Sequence, residues 1–149
     1  MRYFFLPYAL SAVLVCLAPP LKSAERADIA GTWRLDAASA PAIDSKPVTS
    51  GHLTVQYRHK TIEMSESLLF PNGDRSTTRN WKIDSHYHPV LGDESGQVLA
   101  KWEGLTLTAD HENAGRHENY RLSLSPDGQV LTEMISRADG SRQVFIWRR

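Results

Sequence analysis

Short apolar runs of period two recur along this chain, and residues that favour turns interrupt them every 8 to 12 positions. Successive side chains of a strand point to opposite faces, so such runs build sheets with an apolar face. From residue 24 onward no window keeps helical periodicity over three turns. Three turns share one chemistry: Pro71-Asn72-Gly73, Pro126-Asp127-Gly128 and Ala138-Asp139-Gly140. Pro or Ala suits the first central position, Asn or Asp the next, and Gly takes the left-handed conformation that closes the loop. Each predicts a tight antiparallel hairpin.

The alternation then assigns faces. Trp33 and Leu35 share a face near 31–36, and Leu53, Val55 and Tyr57 share one near 51–58. Ile62 and Met64 follow near 60–68, and Trp81 and Ile83 end a strand near 75–83. A short segment from His86 to Val90 comes after a bend. Val98, Ala100 and Trp102 align on one strand and Leu105 and Leu107 on the next, with Gly104 at the reversal. Tyr120, Leu122 and Leu124 align, and Leu131, Glu133 and Ile135 oppose Val130, Thr132 and Met134. In the last strand, 141–148, Phe145 and Trp147 oppose Val144 and Ile146. Both faces of the last two strands carry apolar groups, which predicts strands covered on both sides or lining an apolar cavity. Residues 37–50 read as a loop with little order of its own.

An antiparallel meander of this many strands splits into two sheets or closes on itself, and closure removes exposed edges. About eight strands enclose an interior just filled by side chains, or holding one small ligand. The expected fold is all-β: an up-and-down antiparallel meander closed or nearly closed into a barrel of about 8–10 strands.

The start of the chain has a different character. Arg2 is positive, Tyr3 to Leu17 is almost wholly apolar, Pro19 and Pro20 break the run, and the small residues Ser23 and Ala24 follow. That is the pattern of a secretory signal peptide. The apolar run falls short of the roughly 20 residues needed to span a bilayer, so cleavage after Ser23 is favoured over retention as an anchor. The expected organisation is a cleaved signal at 1–23 and a single domain at 24–149, exported to a periplasm or the exterior, with no stable membrane span after cleavage. Cys16, the only cysteine, leaves with the signal, so no internal disulfide is expected. Val15 precedes it, which argues against lipidation. The 126 residues from Ala24 are enough for one core. They carry 15 basic and 17 acidic side chains, interspersed. No basic block follows a phosphate backbone, which argues against nucleic acid and other polyanionic partners.

Candidates for chemistry are few. His86 and His88 are two apart and would face the same way on an extended strand, which can hold a metal if a third ligand joins them. Beside Pro89 they read better as polar residues at a bend. His111-Glu112-Asn113-Ala114-Gly115-Arg116-His117 has its second histidine six residues after the first, the wrong spacing for a zinc protease helix, and Asn-Ala-Gly reads as a hairpin tip. No Gly-x-Ser-x-Gly elbow is present. Glu63, Glu66, Asp84 and Glu103 read as solvated charges rather than a glycosidase pair. Trp33, Trp81, Trp102, Trp147, Tyr57 and Tyr120 read mainly as core, with a cavity wall as the functional alternative.

Gly31-Thr32-Trp33-Arg34-Leu35-Asp36 resembles the Gly-x-Trp opening of lipocalin-like barrels. Asp84–Val90, Lys101–Gly104 and the Leu122–Gly128 hairpin extend the resemblance to uncharacterised bacterial exported lipocalin-like proteins, over about residues 29–149. The resemblance implies a lipocalin-like barrel in which Trp33 plugs the bottom. It also implies an arginine near the last strand over the indole: Arg148 or Arg142 is the candidate, with Arg149 at the end less favoured. Guanidinium on indole gains cation–π energy and covers an apolar plug. The expected function is non-enzymatic binding of a small apolar or amphipathic ligand, with Tyr57, Trp81, Trp102, Tyr120 and Phe145 as candidate lining groups and no cofactor. A filled barrel acting as a protein-interaction module is one alternative. A metal-dependent or hydrolytic enzyme on the barrel is another.

Overall fold

The computed structural model describes residues 27–92 and 95–149. The segment read as an export signal, with Cys16, lies outside the described residues. Eleven strands form one sheet: β1 (Gly31–Leu35), β2 (Ser50–Arg58), β3 (Thr61–Phe70), β4 (Gly73–Lys82), β5 (Tyr87–Pro89), β6 (Leu91–Gly92), β7 (Gln97–Glu103), β8 (Thr106–Asn113), β9 (Arg116–Leu124), β10 (Val130–Arg137) and β11 (Arg142–Arg148). Their order is β5-β7-β8-β9-β10-β11-β1-β2-β3-β4-β6. The first long strand pairs with the last, antiparallel, with Leu35 opposite Trp147. A seam remains between β4 and β7, bridged where Ile83 meets Ala100. The result is a nearly closed, all-β antiparallel barrel, as the alternation predicts.

Period two decides what lies inside. Trp33, Trp81, Trp147, Phe145, Ile62, Met64, Leu107 and Leu122 are each 2 % exposed or less. Fully burying a large apolar side chain contributes about 1.5–3 kcal/mol, so these groups dominate the stability. The Trp33 indole donates to the Ile29 carbonyl at 3.0 Å. The guanidinium over the Trp33 ring is that of Arg149, 4.5 Å from its centroid. Arg148 and Arg142 sit in the outward phase of β11 and cannot reach it. Arg148 instead pairs with Asp36 at 2.9 Å.

Two further expectations change. Residues 37–50 are ordered: Ala37–Ser39 form a short 3-10 turn, and Ile43 and Lys46 exchange two backbone bonds at 2.9 Å. Ile43 and Val48 join the core, each under 8 % exposed. On β10 and β11 one face is buried, whereas the outward Val130, Met134 and Ile146 are half-buried and Val144 is exposed. That second apolar face is neither covered nor the wall of a cavity; it forms part of the outer surface. The turn at Gly128 has the expected left-handed glycine (φ 71), whereas Gly73 stands at φ 145 and opens β4.

Candidate functional site

Several inward positions carry charge. On β4, Arg79 shares the inner face with Trp81; on β10, Glu133 lies between Leu131 and Ile135; on β3, Glu66 lies between Met64 and Leu68. All three charged groups are buried, at 5 %, 1 % and 4 % exposure. Arg79 Nη1 donates to Glu133 Oε1 at 3.0 Å, and its Nη2 lies 3.9 Å from Glu66 Oε1. The other Glu133 oxygen accepts the Trp147 indole N–H at 3.1 Å. Burying an ion is costly unless it is paired and hydrogen-bonded, and these contacts supply that compensation.

Tyr120 on β9 connects this group to a second one. Its ring lies 5.2 Å from Arg79 Cζ and takes Trp81 edge-on at 5.2 Å. Its hydroxyl donates to Glu118 Oε2 at 2.8 Å. Glu118 also accepts from Arg137 Nε at 2.7 Å, and Arg137 Nη2 donates to Gln143 Oε1 at 2.9 Å. Burial alone would raise the Glu118 carboxyl, but the Tyr120 hydroxyl and the Arg137 guanidinium outweigh it and hold the group below its ordinary value.

These side chains border a cavity of about 410 Å³ at the barrel mouth, with Arg75, Thr77, Ile135 and Phe145 on its walls. It places donors and carboxylates beside aromatic and aliphatic surface, as a site for a molecule with a polar and an apolar end requires. The middle of the barrel is occupied by buried Trp33, Trp81, Trp147, Phe145 and Met64.

Of the aromatic candidates, Tyr120 and Phe145 line this cavity. Trp81 packs directly behind Tyr120. Tyr57 does not line it: it is 38 % exposed near the end of β2, its hydroxyl 3.5 Å from the Ala27 carbonyl. Trp102 is half-buried near the end of β7 and also lies outside the cavity. The indole nitrogens of Trp81 and Trp102 are buried without an acceptor among the described residues.

His86 and His88 both lie against Asp84, with ring nitrogens 3.6 and 2.7 Å from its Oδ1. The bend at Ser85 (φ 63) leaves His86 outside β5 and largely exposed. Its Nδ1 donates to the Asp84 carbonyl at 2.8 Å, while His88 Nε2 donates to Asp84 Oδ1 at 2.7 Å. No group of three or more metal-ligating side chains converges among the described residues. Glu63, Asp84 and Glu103 are engaged separately by Arg58, Lys82 and Lys101. Glu66, read as solvated, is inside with Arg79. His111 is buried, its Nε2 donating to the Ser95 carbonyl at 2.7 Å.

Reading the sequence for aromatic walls and histidine pairs passes over Arg79, Glu118, Glu133 and Arg137. The available signal was a charge in the inward phase of a strand, plainest for Glu133 between Leu131 and Ile135.

No protein-family model matches this sequence, and no curated protein matches it. Solved structures of like fold include the wild-type fluorescent protein UnaG, at TM-score 0.59 and 14 % identity over 81 % of this chain and 96 % of that one. Another is fatty-acid-binding protein 1 of Echinococcus granulosus, at TM-score 0.57 and 12 % identity over 81 % and 96 %. At such identities the likeness is one of fold.

Proposed function

We propose that this chain is an exported, non-enzymatic binding protein that holds a small amphipathic molecule in the mouth of its barrel. The observation that carries the reading is the 410 Å³ cavity in which Arg79 and Arg137 stand beside Tyr120, Phe145 and Ile135. Its size lies within the ~300–1,000 Å³ range of small-molecule sites. The polar end of the ligand meets Arg75, Thr77 and Arg137, and its apolar part covers Phe145 and Ile135. A fatty-acid-binding protein among the structures of like fold supports a ligand with an apolar chain. Trp33 beneath an arginine supports the lipocalin-like reading, and the Arg2-to-Ser23 segment supports export.

Tryptophan fluorescence of the purified protein tests this with a panel of fatty acids of increasing chain length. Saturable quenching is expected, with affinity reduced about tenfold or more by Phe145→Ala through lost apolar contact. Tyr57→Ala, away from the cavity, should change it little. No response to any member, or equal responses from both variants, would end the proposal. The occupied interior favours a second reading, a filled barrel that acts through its outer surface; it predicts that flat response. For export, N-terminal sequencing of protein from the culture medium or periplasm should begin at Ala24.

A further inference from the structure

The outer wall carries a charge pattern that the mouth does not use. Along β9, β10, β11, β1 and β2 the outward positions include Arg121, Arg142, Arg148, Arg34, His52 and Arg58, and none is Asp or Glu. The outward positions of β3, β4, β7 and β8 hold five acidic groups, Glu63, Asp74, Glu103, Asp110 and Glu112, and two basic ones, Lys82 and Lys101. The whole chain balances 17 basic against 17 acidic residues, so the asymmetry is one of placement.

Within the basic wall, register sets Arg34 directly opposite Arg148 on one side and His52 on the other. Like charges directly opposed across a ladder destabilise it. Asp36 answers one of them, taking Arg148 Nε at 3.0 Å and Nη2 at 2.9 Å. Arg34 and His52 have no ion pair or side-chain hydrogen bond among the described residues. The row borders an open notch of about 560 Å³, lined also by Thr32 and Arg149, with no carboxylate among its lining residues. Arg149 is fixed there, its Nη2 donating to the Ala30 carbonyl at 2.8 Å while the guanidinium covers Trp33.

We propose that this notch binds a phosphate-type oxyanion between Arg34 and Arg148, with His52 and the Thr32 hydroxyl as further donors. Guanidinium groups present planar, paired N–H donors that match phosphate oxygens. Asp36 neutralises part of Arg148, and the five strands around the pair add no outward carboxylate, so the field at the notch still favours anions. Free phosphate and the headgroup of an anionic phospholipid offer the same chemistry. The notch shares no lining residue with the mouth cavity, so the two sites are tested separately.

The experiment uses the full chain at low ionic strength in two arms. One is calorimetric titration with inorganic phosphate. The other is co-sedimentation with phosphatidylcholine vesicles with and without phosphatidylglycerol. Saturable binding is expected in at least one arm, weakened about tenfold or more by Arg34→Gln and less by Arg34→Lys. Phosphate binding in solution marks a free oxyanion as the ligand. Phosphatidylglycerol-dependent binding alone marks a headgroup. Either supports the site. Arg121→Gln removes the same charge from the same wall away from the notch and should change binding less than about twofold. Absence of binding in both arms, or equal losses for Arg34→Gln and Arg121→Gln, would overturn the proposal. All the replaced positions are exposed, and unchanged thermal unfolding checks that the variants are folded.

Discussion

Glu133 is 1 % exposed, and both its oxygens are engaged, one by Arg79 and one by the Trp147 indole. Removing its carboxylate takes from the buried Arg79 guanidinium its partner at 3.0 Å and from the Trp147 indole N–H its acceptor. Breaking one side of a buried pair typically costs about 3–5 kcal/mol, so Glu133→Ala should lose that much in urea unfolding. A loss below about 1 kcal/mol would mean the pair is not what holds this end of the barrel. Arg149 and Arg148 separate a second pair of roles. Arg149→Ala removes a cation–π contact worth about 0.5–1 kcal/mol at an exposed site, together with the cover over Trp33. Arg148→Ala removes a surface ion pair, of a kind worth about 0–1 kcal/mol. The melting temperature should therefore fall further in Arg149→Ala, and equal falls would contradict the plug.

At the scale of strands and turns, the sequence was legible where period two ran uninterrupted. The last strand, expected at 141–148, runs from Arg142 to Arg148, and the faces assigned to β9 and β10 hold because alternation and Pro-Asp-Gly chemistry agree there. Residues 36–49 were not legible, since Ile43 and Val48 are isolated apolar groups among Pro, Ser and Ala and repeat with no period. Their burial depends on where β1 and β3 bring the barrel end. The candidate site was half legible: the phase of Tyr120 and Phe145 is local, whereas the pairing of Arg79 with Glu133 joins residues 54 apart in sequence. Glu118 and Arg137 stand directly opposite each other across β9 and β10. The Glu118 carboxyl is held below its ordinary value of 4.5, so its contribution is complete above that value. As pH falls through the lower folded value the carboxylate takes a proton, and the contribution is lost. The melting-temperature gap between the parent and Glu118→Gln should therefore be widest near neutral pH and close as the solution is acidified below 4.5. A constant gap would show that the ion pair carries none of it.

Taken whole, the barrel is a continuous ladder except along one line. β9 and β10 each have a paired strand on both sides along most of their length, and β11 is paired along its length with β10 and at Trp147 and Arg148 with β1. β4 is paired along its length with β3, but on its other side, among the described residues, it meets β6 at Arg79 and Asn80 alone. Beyond the end of β4, Ile83 makes the bridge to Ala100. An edge with unpaired amides opens more readily than an interior strand, because fewer bonds and less packing must be broken together. Arg79, Thr77 and Arg75 stand on this same strand and border the mouth cavity, so the weakest line of the barrel is also one wall of the proposed site. Amide hydrogen exchange should therefore divide the molecule. Backbone amides of β10 should exchange only through global unfolding, and those at 74–77 about a hundredfold faster or more, through local opening. An amphipathic ligand bound at the mouth should slow the β4 amides while leaving β10 near its starting rate, since it adds contacts to the seam and none to the far wall. Equal protection of β4 and β10 without ligand would mean that the seam is as firmly closed as the rest. Uniform slowing on binding would place the ligand elsewhere.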